Sequence, residues 1–179
     1  ISIPKLKEIL LPPQSKEQQE EIINKINKTK TFVKINGKDE FDNIHLPPFQ
    51  KAIEGGVYGV MTAHIIYEFI EKDKAATFAH NILTDLLKDQ LGFKGVVFTD
   101  SLDMVGAKKV GGEISKAATL ALSAGADALL CAKENPLKVN KEIESQIDKL
   151  YTLQRIEDAS KKIYELKQKL GLFEQKIDE

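Results

Sequence analysis

A single cysteine, Cys131, leaves an internal disulfide without a second thiol and a cysteine-based metal cluster without partners. The three histidines, His45, His64 and His80, show no metal-ligand spacing, so neither a metal nor any other cofactor is expected. No apolar run approaches the ~20 residues that a membrane helix needs. No basic-then-apolar leader opens the chain, and the expected location is the cytosol. Lys and Arg number 26 against 27 Asp and Glu, and this balance gives no electrostatic case for nucleic acid or an anionic membrane. Neither a G-x-x-x-x-G-K nor a G-x-G-x-x-G loop is present to cradle phosphate. Internal repeats and low-complexity segments are missing as well. The chain opens on Ile1 rather than Met, as an excerpt or a processed product would.

What remains is a chain of 179 residues, 42% hydrophobic and 30% charged, enough for one ordinary domain with a real core. Residues 1–43 differ in character from the rest. Pro12-Pro13 makes an extended step, and Ser15 with Gln18 has capping-box spacing for a polar helix to about Lys30. Thr31 to Ile35 alternates like a short strand before the Asn36-Gly37 turn signal. From about Asn43 helices alternate with short buried strands. The spacing predicts a helix over Pro48 to Glu54, stopped by Gly55-Gly56, and a strand over Val57 to Thr62. Thr77 is placed to cap a helix through Asn81 to Leu87, which Gly92 ends. Val96-Val97-Phe98 reads as a second strand, Glu113 to Ala124 as a helix ended by Gly125, and Asp127 to Cys131 as a third buried strand. Pro136 opens a helix to about Tyr151, and a last helix from about Arg155 to Leu170 carries its apolar stripe on Ile156, Ala159, Ile163 and Leu166. Strands separated by helices imply parallel units with right-handed crossovers. A closed barrel takes eight strands, so three imply part of a barrel or a small open sheet wrapped by helices.

The most informative run is Gly92-Phe93-Lys94-Gly95-Val96-Val97-Phe98-Thr99-Asp100-Ser101-Leu102-Asp103-Met104. A β-branched apolar stretch stops at one acid and is followed by a loop carrying another. In β/α proteins the C-terminal end of a strand is where catalytic side chains sit on rigid backbone. Asp100 is therefore a candidate nucleophile or base, with a helix or loop cap as the bland alternative. Asp103 reads as a cap within the loop. His64, at the end of the first strand, would share the mouth with Asp100; it could bond substrate, hold a neighbouring carboxylate or serve only structure. Met104 could line a sugar pocket or pack the core. His80 is expected at a helix start facing solvent, His45 in a surface loop, and Cys131 as a small core residue.

This run closely resembles the nucleophile strand of family 3 glycoside hydrolases, whose pattern reads roughly L-G-F-x-G-V-V-x-[ST]-D-x-L-x-M. Five more blocks follow the family order. Pro48-Phe49-Gln50-Lys51-Ala52-Ile53 is similar to its P-F-x-x-A-I entry, and Val60-Met61-Thr62-Ala63-His64 to its V-M-x-A-H strand. Ala76-Thr77-Phe78-Ala79 is similar to its A-T-L-S segment with two changes, and Ala118 to Asp127 resembles A-x-x-A-L-x-A-G-A-D. The stretch Arg155 to Phe173 resembles the family's closing helix. The resemblance covers about seven-tenths of the chain, from Leu46 to Phe173, and lies nearest the β-N-acetylglucosaminidase branch. It implies a partial (β/α)8 TIM-barrel-like α/β domain over residues 44–174, between an arm at 1–43 and a tail at 175–179. It implies retaining hydrolysis of a β-linked N-acetylglucosamine with Asp100 as nucleophile, His64 and Met104 as substrate-binding residues, and a carbohydrate as the partner.

The departures set the alternative. The family's first five strands, its D-x-E-G-G segment and its K-H-F-P-G-H-G segment have no counterpart here. In that branch the general acid/base is a histidine in a D-x-H arrangement, whereas Asp42-Asn43-Ile44-His45 is one residue too long. Loss of a general acid costs about 10²–10⁴-fold in rate. The alternative is a non-catalytic interaction or carbohydrate-binding module derived from the same family. A half-barrel also exposes strand edges, which invites a homo-oligomer or a partner chain to complete the sheet. Separately, Ile9-Leu10-Leu11-Pro12-Pro13 followed by Glu17-Gln18-Gln19-Glu20-Glu21-Ile22 resembles the P-L-P-P-x-x-E-Q-x-x-I stretch of type I restriction-modification specificity subunits.

Overall fold

Two short strands carry the architecture. In a computed structural model that describes residues 37–173, β1 (Gly59–Met61) lies parallel to β2 (Val96–Phe98), with Gly59 opposite Val96 and Met61 opposite Phe98. The remaining elements are helical, so the described residues form a mixed α/β unit in which helix predominates. The helix and strand expected before Asn36 lie outside the described residues, as does the tail.

The chain enters through one helical run. Its first turn, α1 (Lys38–Glu40), passes through a wider π-type segment at Phe41–His45 into α2 (Leu46–Glu54). The paired prolines sit where the wider segment passes into α2, and they carry no N–H to bond the preceding turn. His45 is therefore helical rather than in a surface loop, and its side chain is only 12% exposed, facing Glu40 and Tyr67. Between the strands the chain makes a 3₁₀ turn at Ala76–Phe78 and a helix at Asn81–Gln90, wound with five-residue steps such as Leu91 N to Leu86 O. Thr77 does not cap that helix. Its side chain is fully buried in the turn before it, where its hydroxyl meets Thr62 and His64.

After β2 come α3 (Val105–Gly111), which the sequence pattern did not reveal, and α4 (Ile114–Ala124). The third expected strand shrinks to one parallel bridge, Phe98 to Ala128. Its backbone still tracks β2, since Ala128 N donates to Val97 O and Thr99 N to Ala128 O. Asn135 caps α5 (Pro136–Ser145) by accepting from Leu137 N, and Thr152 caps α6 (Leu153–Lys169) by accepting from Arg155 N. The helix expected to reach Tyr151 stops at Ser145, and a turn follows in which Asp148 takes a left-handed conformation.

The core lies between this small sheet and the helices. Val97, Leu102, Ala107, Ala117, Ala118 and Ala121 are fully buried. The alanines of α4 let that helix approach closely, while each buried Val or Leu contributes about 1.5–3 kcal/mol. A Cβ on Gly95 would collide with the Tyr58 carbonyl oxygen and stand 2.7 Å from the Phe93 ring. That carbonyl accepts from Val96 N, the bond that opens the β1–β2 pair.

Asp127 locks the same end of the sheet. Its carboxylate is fully buried, accepts from Val97 N at 3.0 Å, and faces Lys88 at 3.1 Å, Arg155 at 3.0 Å and Lys162 at 3.7 Å. Lys88 also donates to the Gly125 carbonyl, and Arg155 to the Ala126 carbonyl. Burial pulls Lys88 down to about 8; Asp127 opposes this, and the Arg155 and Lys162 charges add to it.

Two outcomes follow from this packing. Gly95→Ala lowers stability by about 1–3 kcal/mol in urea titration, because the obstacle is backbone that cannot rotate away. In the unfolded chain Lys88 titrates near its ordinary 10.5, so between there and about 8 the unfolded state holds a proton that the folded protein has released. Stability therefore rises with pH across that window. The clearest interval lies around pH 8, below the ordinary 9.0 of the Cys131 thiol, whose ionisation in the unfolded chain opposes the rise at higher pH. The unfolding free energy from urea titration climbs there by at most about 1.4 kcal/mol per pH unit, and Lys88→Met removes the climb.

Candidate active site

Asp100 stands two residues beyond β2, where the strand gives way to loop. Thr99, fully buried, anchors the exit by accepting a 2.9 Å bond from Leu130 N through its hydroxyl. Asp100 itself is half-buried, and its Oδ1 accepts from Ser101 N at 2.7 Å. Leu102 plugs the core beneath the loop with no exposed surface, and its N–H reaches the Leu130 carbonyl at 2.9 Å. The loop is thus pinned from below by an apolar side chain and from the side by backbone bonds.

Asp103 behaves as the loop cap that its position suggested. Its carboxylate accepts from Ala132 N at 2.7 Å, from Lys133 N at 3.2 Å, and from the Ser101 hydroxyl at 3.2 Å. Burial, then the Asp103 and Glu134 charges, push the Cys131 thiol up to about 11. It remains a protonated, unreactive thiol at neutral pH. Met104 starts α3 with 39% of its surface exposed, next to Val105 at 68%.

His64 is brought to the same end of the sheet by β1. Three residues past Met61, its Nε2 lies 3.0 Å from the Ser101 carbonyl oxygen and its Nδ1 2.9 Å from the Thr77 hydroxyl. Its ring stacks on Phe78 with centroids 6.2 Å apart. Thr62 reaches the same Thr77 hydroxyl at 2.8 Å and pairs to β2 through its own N–H and the Phe98 carbonyl. Asp100, His64 and Met104 therefore share the strand-end face, linked through Ser101. His80 lies elsewhere, at the start of the Asn81–Gln90 helix, with a 55% exposed side chain facing Asp85.

Sequence reasoning did not pick out Thr62, Thr77 as a histidine partner, Ser101 or Asp127. A hydroxyl looks alike whether it caps a helix or bonds a side chain fifteen residues away. The signal within reach was Thr62 two residues before His64 at a strand exit. A cleft of about 350 Å³ lies between Tyr58, Gly95 and Lys162, at the ends of the strands opposite Asp100. Another of about 420 Å³ runs along the outer side of α5, lined by Leu137 and Lys141. Neither touches the strand-end group, and loop chemistry identifies the site here better than concavity does. Among the described residues there is no group of three or more His, Cys, Asp or Glu side chains poised to hold a metal ion. Among them also, no helix is long and apolar enough to cross a membrane.

Comparison with known proteins gives these features a frame. The family described as glycosyl hydrolase family 3 N terminal domain matches residues 26–166. A β-hexosaminidase of Methylobacillus flagellatus is 35% identical over 122 residues, covering 66% of this chain and 34% of that protein. One from Chromobacterium violaceum is 38% identical over 89 residues, covering 50% of this chain and 24% of that protein. Among solved structures, the family 3 β-N-acetylglucosaminidase of Paenibacillus sp. FPU-7 superposes with a TM-score of 0.68 at 30% identity. That match covers 76% of this chain and 26% of the other. The β-N-acetylglucosaminidase of Thermotoga maritima shares the fold, with a TM-score of 0.64 at 24% identity. The chain spans about a quarter to a third of the curated relatives it matches. Because the family matches well over half of its residues, this chain belongs to glycoside hydrolase family 3, as part of the family's N-terminal domain.

Proposed function

We propose that Asp100 is the nucleophile of a retaining hydrolysis of β-linked N-acetylglucosamine, in a (β/α)8 barrel domain of which residues 44–174 form a part. The observation that carries this reading is the carboxylate itself. It sits half-open at the C-terminal end of a buried strand, with one oxygen held by Ser101 N–H, inside the run that matches the family's nucleophile pattern. The names of the relatives supply the sugar. In the first step a carboxylate oxygen of Asp100 bonds to the anomeric carbon as the glycosidic C–O bond breaks. Water then attacks the same carbon and releases the carboxylate, so configuration is retained. Met104 and Val105, exposed beside the loop, offer an apolar lip to a sugar face.

The leaving oxygen needs a proton from elsewhere. Asp103 spends its lone pairs on Ala132 and Lys133 N–H, and His45 faces Glu40 in the entry helix. The test therefore uses a substrate whose leaving group departs unprotonated. A 2,4-dinitrophenyl β-N-acetylglucosaminide is hydrolysed by the unaltered protein, and Asp100→Asn lowers the rate by on the order of 10⁴-fold. Absence of turnover from folded protein sinks the catalytic reading for this chain. Saturable N-acetylglucosamine binding without turnover would instead favour a carbohydrate-binding module of the same descent.

A further inference from the structure

We infer that His64 is a positioning residue for Asp100, acting through the carbonyl of Ser101; the inference rests on the reading of Asp100 as nucleophile. A carbonyl oxygen only accepts, so the 3.0 Å contact requires a proton on Nε2, whichever way the Thr77 hydroxyl turns. That proton is committed to backbone, which removes this nitrogen from acid–base work on a substrate. The ring has little freedom to leave. Nδ1 meets the fully buried Thr77 hydroxyl, Phe78 stacks on one face, and Thr62, 7% exposed, bonds Thr77 from behind. Around the two buried threonine hydroxyls an unmade bond costs more than in water, which holds the half-buried ring to them.

The hold reaches Asp100 in two steps. The Ser101–Leu102 peptide is gripped from both sides: its oxygen accepts from His64 Nε2 and from Met104 N at 3.1 Å, and its N–H donates to the Leu130 carbonyl. The Ser101 N–H belongs to the adjoining peptide, one Cα away, and donates to Asp100 Oδ1 at 2.7 Å. Among the described residues Oδ2 carries no hydrogen bond and is the oxygen left to attack. His64 thus sets which carboxylate oxygen is engaged and which is free.

The test reads the loop directly by NMR, comparing amide exchange of Ser101 with that of Val97 in the core. In His64→Leu the Ser101 amide exchanges about tenfold faster relative to Val97, the loss of one hydrogen bond's restraint, and the Asp100 carboxyl carbon resonance shifts. In His64→Gln, whose amide nitrogen restores a donor, both stay near the parent values. Should His64→Leu loosen Val97 equally, Thr77→Val keeps the ring and removes only its orienting hydroxyl. Ser101 then accelerates severalfold while Val97 holds. An unchanged Ser101 amide and Asp100 resonance in His64→Leu overturn the inference, as does equal loss in the Leu and Gln variants. The dinitrophenyl assay fails or succeeds independently. A Ser101 response in a protein without turnover counts for the hold and against the reaction.

Discussion

The buried carboxylate of Asp127 is the point on which the described fold depends. It stands just past α4 and accepts from the backbone of β2, and its three cations come from the Asn81–Gln90 helix and from α6. A carboxylate with no exposed surface survives only if its charge is matched and its lone pairs are used. Here both conditions are met by groups from three other parts of the chain. The arrangement favours specificity over raw stability, since the geometry that satisfies Asp127 also fixes how helix, strand and C-terminal helix meet. Burial is what makes Lys88 give up its proton so readily; Asp127 opposes this, and the Arg155 and Lys162 charges add to it.

The two ends of the sheet are built on different chemistry. At the entry end, charge and close backbone approach hold the elements together, through Asp127 and the Gly95–Tyr58 contact. At the exit end the ties are hydroxyls, an imidazole and backbone groups: Thr62, Thr77, His64, Thr99 and Ser101. No Lys or Arg is among these ties, and the Asp103 carboxylate, bonded by the Ser101 hydroxyl, adds a second acid to the loop. A nucleophilic carboxylate next to a fixed cation would be a poorer one, and the charged lock sits at the other end of the strands.

Much of this was legible in the sequence. The strand at Val96–Phe98 and the acid that follows it were readable because β-branched runs ending in a polar residue have few other uses. Helices with an apolar pattern and a glycine stop, such as Ile114–Ala124 before Gly125, were readable for similar reasons. The third strand was overread: none of the four apolar residues after Asp127 is fully buried, and only Ala128 pairs with β2, because the chain must reach Asp103 with its next backbone amides. α3 was missed because Val105-Gly106-Ala107-Lys108-Lys109-Val110-Gly111 carries two glycines and no capping side chain. Thr77 was misplaced because local spacing favoured a cap, while its partners lie thirteen and fifteen residues upstream. Asp127 gave no local sign of its importance, since its cations lie 28 to 39 positions away in sequence.

Asp103 grips its neighbours by the amides of Ala132 and Lys133, not by their side chains. Such a tether is blind to what residues 132 and 133 are and sensitive to how many residues stand there. Drift in composition between Cys131 and Pro136 leaves the loop beside Asp100 where it is. A one-residue insertion or deletion, or a proline at either position, takes away an N–H donor and frees the loop. The ruler for this site is chain length, measured on a segment that carries no catalytic group.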